Sequence, residues 1–267
     1  MTDLRNFSKY KNAENKAMIN TYNESSLHET LKNLVAQESN AKTECQIDGA
    51  KWIFDVVDNF ENVAEIQTGN IGALNEKLKF LILNQKNVRV VRPVIVEKTI
   101  KTIDENGILK NCRKSPKIET IYSILRGLGK ITDILLKIQI DVLFISATET
   151  RLFSENPVQL KNRSRRHLKK YVPIEKSLGD VFDSRTLKTK DDWLSLVPKI
   201  AQPFTTAQLS KSIFDFVKID GIKMNESSKK RAANQARLLL WLLEKMNLCK
   251  RVGKIKNAIL WQTVREN

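Results

Sequence analysis

The spacing of apolar residues divides the chain into an alternating helix-and-strand stretch and a later, mostly helical one. From Ser26 to Gln37, Leu27, Leu31, Leu34 and Val35 recur at the three- and four-residue spacing of one helix face. Ser26, with Glu29 three positions on, has the form of a capping box opening that helix. Lys51–Val57 is rich in β-branched and aromatic residues, Asp58–Asn62 supplies turn formers, and Val63–Gln67 follows as a second strand, so a hairpin is expected. Leu74, Leu78, Leu81 and Ile82 mark a helix, and Val88–Val96 a buried strand. Asp104-Glu-Asn-Gly107 is the turn of a further hairpin. A helix near Ile118–Leu136 and an apolar strand over Ile140–Ser146 close this half, an α/β unit around a small mixed sheet.

Residues 152–176, with Asn156-Pro157 and a basic run from Lys161 to Lys170, have the composition of a linker. Beyond it the spacing reads as helical. Asp191–Lys199 is a short helix stopped near Pro203, and Thr205–Phe214 opens on a threonine cap with Leu209, Ile213 and Phe214 inward. Ser227–Met246 is basic at its start and apolar later. Leu248–Val252, a turn over Gly253–Asn257, and Ala258–Trp261 form a terminal hairpin. Helices followed by such a hairpin make a winged helix. The organisation expected is a leader over 1–22, an α/β domain over 23–151, a basic linker over 152–176 and a mainly α winged helix-turn-helix domain over 177–267.

Charge sharpens this division. The chain has 267 residues and a formal net charge of +16. Residues 1–158 hold 22 Lys and Arg against 20 Asp and Glu, whereas residues 159–267 hold 24 against 10. An excess of +14 in one part points to a polyanion partner, because Lys and Arg gain affinity by displacing counterions from phosphates. A solvated, lysine-rich surface is the alternative reading. No apolar run approaches the roughly 18 residues of a membrane span, and Met1-Thr-Asp-Leu-Arg lacks a secretory apolar stretch. Three scattered cysteines and two histidines favour neither a disulfide framework nor a His-rich zinc site. A cytoplasmic, reduced protein without a membrane partner is expected.

The chemistry lies in Asp55 and Glu65-Ile66-Gln67. Alternate strand residues face the same way, so Glu65 and Gln67 share a face while Ile66 points into the core, and a hairpin register brings Asp55 beside Glu65. Two carboxylates held together repel unless they share a cation, and oxygen ligands of this kind suit Mg²⁺, with Mn²⁺ as a substitute. This segment resembles the PD-(D/E)XK nuclease superfamily, with Asp55 at its aspartate position and Glu65-Ile66-Gln67 at its Glu-x-Lys. Gln67 departs from that pattern. The resemblance implies that Lys77, on the following helix, supplies the lysine and that Glu29 is the acid brought by the first core helix. A longer string, Asp55-Val-Val, Glu65-Ile-Gln-Thr, Lys77-Leu, Arg92-Pro and Lys114-Ser-Pro-Lys117, is similar to uncharacterised bacterial proteins with no assigned activity.

Each residue has a plainer reading. Glu29 serves as a capping acid, Asp55 and Glu65 as unrelated surface carboxylates, Lys77 as a solvated helix lysine, Gln67 as a strand polar residue, and His28 as a surface histidine. On the functional reading, Asp55 and Glu65 bind the metal, and Glu29, Gln67 and Lys77 complete the catalytic set. Lys229, Lys230, Asn234 and Arg237 enter the major groove, Lys254 and Lys256 touch the backbone from the wing, and Arg92, Lys114 and Lys117 add phosphate contacts. The function expected is a Mg²⁺-dependent endodeoxyribonuclease acting on double-stranded DNA, of restriction or defence type, for which a homodimer is allowed. The alternatives are a DNA-binding regulator with a decayed nuclease core and a structure-specific repair or recombination nuclease.

Overall fold

The computed structural model describes residues 26–159, 168–217 and 226–264. The elements run α1 (Ser26–Ser39), β1 (Lys42–Gln46), β2 (Ile53–Val57), β3 (Val63–Ile66), α2 (Asn75–Leu83), β4 (Val88–Ile103), β5 (Leu109–Lys114), β6 (Gln139–Gln159) and β7 (Leu168–Leu187). They continue with α3 (Lys190–Leu194), β8 (Phe204–Thr205), α4 (Thr206–Val217), α5 (Glu226–Lys245), β9 (Cys249–Ile255) and β10 (Ala258–Thr263). The first seven strands form one mixed sheet in the order β1-β2-β3-β4-β6-β7, with β5 added to β4. β3, β4 and β6 run parallel, and their neighbours β2 and β7 antiparallel. The α/β class and the mixed central sheet are as the sequence pattern leads one to expect.

Both faces of this sheet are covered. On one, Leu27, Leu31 and Val35 of α1 pack onto Val56, Ala64, Ile66, Val91, Leu143 and Ile145. On the other, Phe54, Val63, Val88, Val90 and Val94 meet Leu78 and Leu81 of α2 and a layer of later helices. With two covers, every residue of β3 is buried, Glu65 as much as Ile66. The expected contrast between an inward Ile66 and outward neighbours is therefore corrected: the strand lies in the middle of three layers, where side chains on either face leave water.

Four further expectations are revised. The span near Ile118–Leu136 is not one α-helix but two 3-10 turns, Ile121–Gly127 and Thr132–Lys137. Ile121, Ile124, Leu125, Leu128, Ile131 and Ile134 are all buried, and their three-residue spacing fits either helix type. The supposed linker over 152–176 is occupied by the ends of β6 and β7, which continue the central sheet; residues 160–167, with most of the basic run, lie outside the described residues, as does the leader. β7 reaches Leu187, so the helical stretch starts later than 177. Its burial hardly alternates and its pairing with β6 is interrupted by irregularities, which removes the two-residue signature. Ser26 is no capping-box residue either: its hydroxyl donates to the Lys176 carbonyl at 2.9 Å, which ties α1 to β7.

After β7, Thr189 caps α3 and forms a reciprocal box with Asp192. α4 and α5 pack together beside a three-stranded sheet in the order β8-β10-β9. β9 and β10 turn tightly at Lys256–Asn257, with Lys256 at a positive φ of 53°. The same buried cluster includes Trp193, Phe204, Leu209, Ile213, Leu239 and Leu242 together with Phe54, Val90 and Ile140 of the large sheet. The Tyr122 hydroxyl donates to the Leu196 carbonyl at 3.0 Å, and Arg231 donates to the Ile118 carbonyl at 3.1 Å. Among the described residues, no helix is long and apolar enough to cross a membrane.

Candidate functional site

The β2–β3 ladder pairs Val57 with Val63 and Val56 with Ala64, then stops. One step beyond, the strands splay and two carboxylates take over the backbone donors. The Asp55 N–H donates to Glu65 Oε1 at 3.2 Å, and the Ile66 N–H donates to Asp55 Oδ2 at 2.8 Å. Side-chain oxygens thus satisfy the frayed end of a buried ladder, where an open N–H would be costly, and the exchange holds the two carboxylates side by side.

Each acid has its own basic neighbour. Lys77 of α2 places Nζ 2.6 Å from Glu65 Oε2, donates to the Ile53 carbonyl at 2.6 Å, and lies 4.8 Å from the centre of the Phe54 ring. His28 of α1 places Nε2 2.8 Å from the Ile66 carbonyl and 3.2 Å from Asp55 Oδ2. A carbonyl only accepts, so that nitrogen carries the hydrogen. Glu65 is almost sealed, its side chain 3% exposed, while Asp55 and His28 are about one-fifth exposed.

Electrostatics separates the two acids. Burial pushes the Glu65 carboxyl up to about 7, and the charge of Asp55 adds to this, against the pull of Lys77. For Asp55, burial is opposed and outweighed by the hydrogen bonds from His28 and the Ile66 N–H, so its carboxyl falls below the ordinary value. One ionised acid beside one that resists ionisation is what a pair of close carboxylates becomes without a shared cation.

The oxygens at the site are hard donors: the carboxylates of Asp55 and Glu65, with the Ile66 carbonyl linked to Asp55 through His28. They suit Mg²⁺ or Mn²⁺, with water filling the remaining positions. Among the described residues, no group of three or more His, Cys, Asp or Glu side chains is arranged to hold a metal, so a cation here would rest on two carboxylates and backbone.

The structure brings together Asp55, Glu65 and Lys77. Gln67 is next along the chain; its Oε1 accepts from the Gly69 N–H at 3.0 Å, its carbonyl accepts from Arg92 at 2.9 Å, and its amide nitrogen stays available to donate. Glu29 is exposed on α1, whereas His28 beside it reaches Asp55. The helical spacing around Leu27 and Leu31 carries the signal for this: a residue next to a core position, not two away from it, lies at the rim of the buried face.

The remaining expected contacts are spread over the surface. Lys114, the last residue of β5, and Lys117 beyond it are exposed, Lys114 lying 3.8 Å from Glu97. On α5, Lys230, Asn234 and Arg237 are exposed at helical spacing, Asn234 accepting from Arg237 at 3.0 Å, and Trp241 continues the stripe, 40% exposed. Lys229 pairs with Glu226 at 2.7 Å. Lys254 and Lys256 are exposed on β9 and its turn.

A family model described as a domain of unknown function (DUF8091) matches residues 25–188, from α1 to the end of β7. No curated protein and no solved structure matches the chain.

Proposed function

We propose that this chain, which belongs over residues 25–188 to the family described as a domain of unknown function (DUF8091), is a Mg²⁺-dependent endodeoxyribonuclease that hydrolyses phosphodiester bonds of double-stranded DNA. The reading rests on one observation above all: a buried and a partly buried carboxylate cap the end of a strand pair, with a lysine 2.6 Å from the one that resists ionisation. This arrangement supports reading the site as a PD-(D/E)XK core in which Lys77 takes the place of the lysine missing at Gln67. The winged-helix reading of α3–α5 with β8–β10 supplies the DNA partner, α5 presenting Lys230, Asn234 and Arg237.

Asp55, Glu65 and the Ile66 carbonyl would hold the cation, which supplies an acidified water and charge neutralisation at the phosphate. Hydrolysis adds the water oxygen to phosphorus and breaks one bond from phosphorus to sugar oxygen, which takes up a proton. Lys77 Nζ, fixed between Glu65 and the Ile53 carbonyl, puts positive charge at the site where negative charge grows. His28 already carries a hydrogen on the nitrogen facing Asp55, so it orients the aspartate and is no general base there. The Gln67 amide nitrogen can orient water by donation.

The test is cleavage of a mixed DNA pool, linear, branched and single-stranded, with Mg²⁺ or Mn²⁺ and with chelator. Metal-dependent cutting of duplex, abolished by Asp55→Ala and by Glu65→Ala in folded protein, supports the reading. Full cutting by either variant refutes it. The loss of the motif lysine and the tight Lys77–Glu65 pair favour one second reading, a DNA-binding regulator with a decayed core, which predicts duplex binding without cleavage by the wild type.

A further inference from the structure

Beside the carboxylate pair, on β4, β6 and β7, the sheet carries four cations around two carboxylates. Glu149 of β6 is buried and holds Lys98 of β4 and Arg151 of its own strand in ion pairs, Arg151 at 2.6 Å. Lys176 of β7 stands opposite Glu149 in the strand register. Among the described residues, neither Lys176 nor Arg92 of β4 has a carboxylate within ion-pair distance, although both are half-buried. Arg92 spends one N–H on the Gln67 carbonyl at 2.9 Å, two residues on from Glu65. Glu119, which accepts from the Ile95 N–H at 3.2 Å, is the other acid near them.

Four positive groups against two negative ones leave a surplus at a place shielded from water. Burial lowers the affinity of the Lys176 ammonium for its proton, and Lys98 adds to this; burial does the same to Arg92. The first residue of α1 donates to the Lys176 carbonyl at 2.9 Å and its hydroxyl lies 3.2 Å from Glu175 Oε1, so that helix end already has a carboxylate of its own and offers none to Lys176 or Arg92. Desolvated like charges are costly without a counter-charge. A surface lysine would swing into solvent to escape this; Lys176 and Arg92 stay half-buried among other cations.

We propose that Lys176 and Arg92, with Lys98 beside them, seat a second backbone phosphate of the DNA strand, next to the one cut at Asp55 and Glu65. This rests on the nuclease reading and extends it to how the strand is held in register: Arg92 joins the seat to the site through Gln67, and the bound phosphate supplies the missing negative charge.

The test uses the full chain in chelator, with a labelled duplex of about 20 base pairs over a series of salt concentrations, and inorganic pyrophosphate as a second probe. Lys176→Met keeps the alkyl stem and should weaken duplex binding about 10-fold at low salt. It should lower the slope of log affinity against log salt by about 1, the share of one phosphate contact, and abolish pyrophosphate binding. Lys176→Arg should preserve all three, which separates loss of charge from misfolding, and Mn²⁺ affinity should be the same in both variants. Wild-type slope and affinity in Lys176→Met and in the Lys98→Met, Lys176→Met double variant would overturn the proposal while leaving the nuclease reading standing. Pyrophosphate binding lost with the duplex slope unchanged would show a seat for free phosphate and overturn the strand assignment. A wild type that binds no duplex at all would remove the nuclease reading and this one with it.

Discussion

Glu65 enters the fold as an acid that burial and the neighbouring Asp55 push up to about 7, from an ordinary value of 4.5. Between those two values the folded chain keeps a proton that the unfolded chain has lost, so stability falls as pH rises through that window. In chelator, the wild type should therefore melt at lower temperature at pH 8 than at pH 5, this one group contributing on the order of 3 kcal/mol. Glu65→Gln should flatten that dependence; an unchanged pH slope would show that Glu65 is not the cause. A cation competes with the same proton, so Mn²⁺ affinity should rise about 10-fold from pH 6 to pH 8, read by calorimetry, and should be flat if Glu65 is no ligand. Lys77→Ala should cost about 10²-fold in cleavage rate. Lys79→Ala should be nearly silent, since Lys79 is 40% exposed and turned toward Asp133 at 3.1 Å. Equal effects would reduce Lys77 to general positive field.

At the scale of elements, the parts that carry the site are those whose sequence signal is strongest. The β2–β3 hairpin and α2 follow from β-branched runs, a turn cluster and helical spacing, and they bring Asp55, Glu65 and Lys77 together as the spacing implies. The Ser26-x-x-Glu29 pattern misleads as to the cap alone, because the Ser26 hydroxyl is bonded to β7. The far part of β6 and the whole of β7 are illegible for a different reason: beyond Ser146 the pairing is bulged and burial hardly alternates, so the two-residue signature is lost, and with it the Lys98, Glu149 and Lys176 cluster. α2 is aimed by the 3-10 turn Ile71–Leu74 before it, where a Cβ on Gly72 would lie 2.8 Å from the Gly127 carbonyl. Gly72→Ala should push these segments apart, lower the melting temperature and lose cleavage beyond what stability explains, by moving Lys77. Unaltered activity at unaltered melting temperature would contradict this. On α5, Arg237→Ala and Lys230→Ala should each reduce the salt slope of duplex binding by about 1.

For the molecule as a whole, charge asymmetry suggests two separable halves, and packing argues otherwise. Leu187 of β7, Trp193, Phe204 and Leu239 share one buried cluster with Phe54 and Val90, so a cut at residue 177 would split β7 and expose apolar surface on both fragments. The intact chain should unfold in a single calorimetric transition, and residues 177–267 alone should not fold; two independent transitions would restore the divided picture. The proposed function stands or falls on Asp55 and Glu65. Crystals soaked in Mn²⁺ and measured at the manganese edge test this most directly. One anomalous peak is expected in contact with Asp55, Glu65 and the Ile66 carbonyl, absent in Glu65→Ala. Manganese bound elsewhere, or none at these residues at saturating concentration, would contradict it.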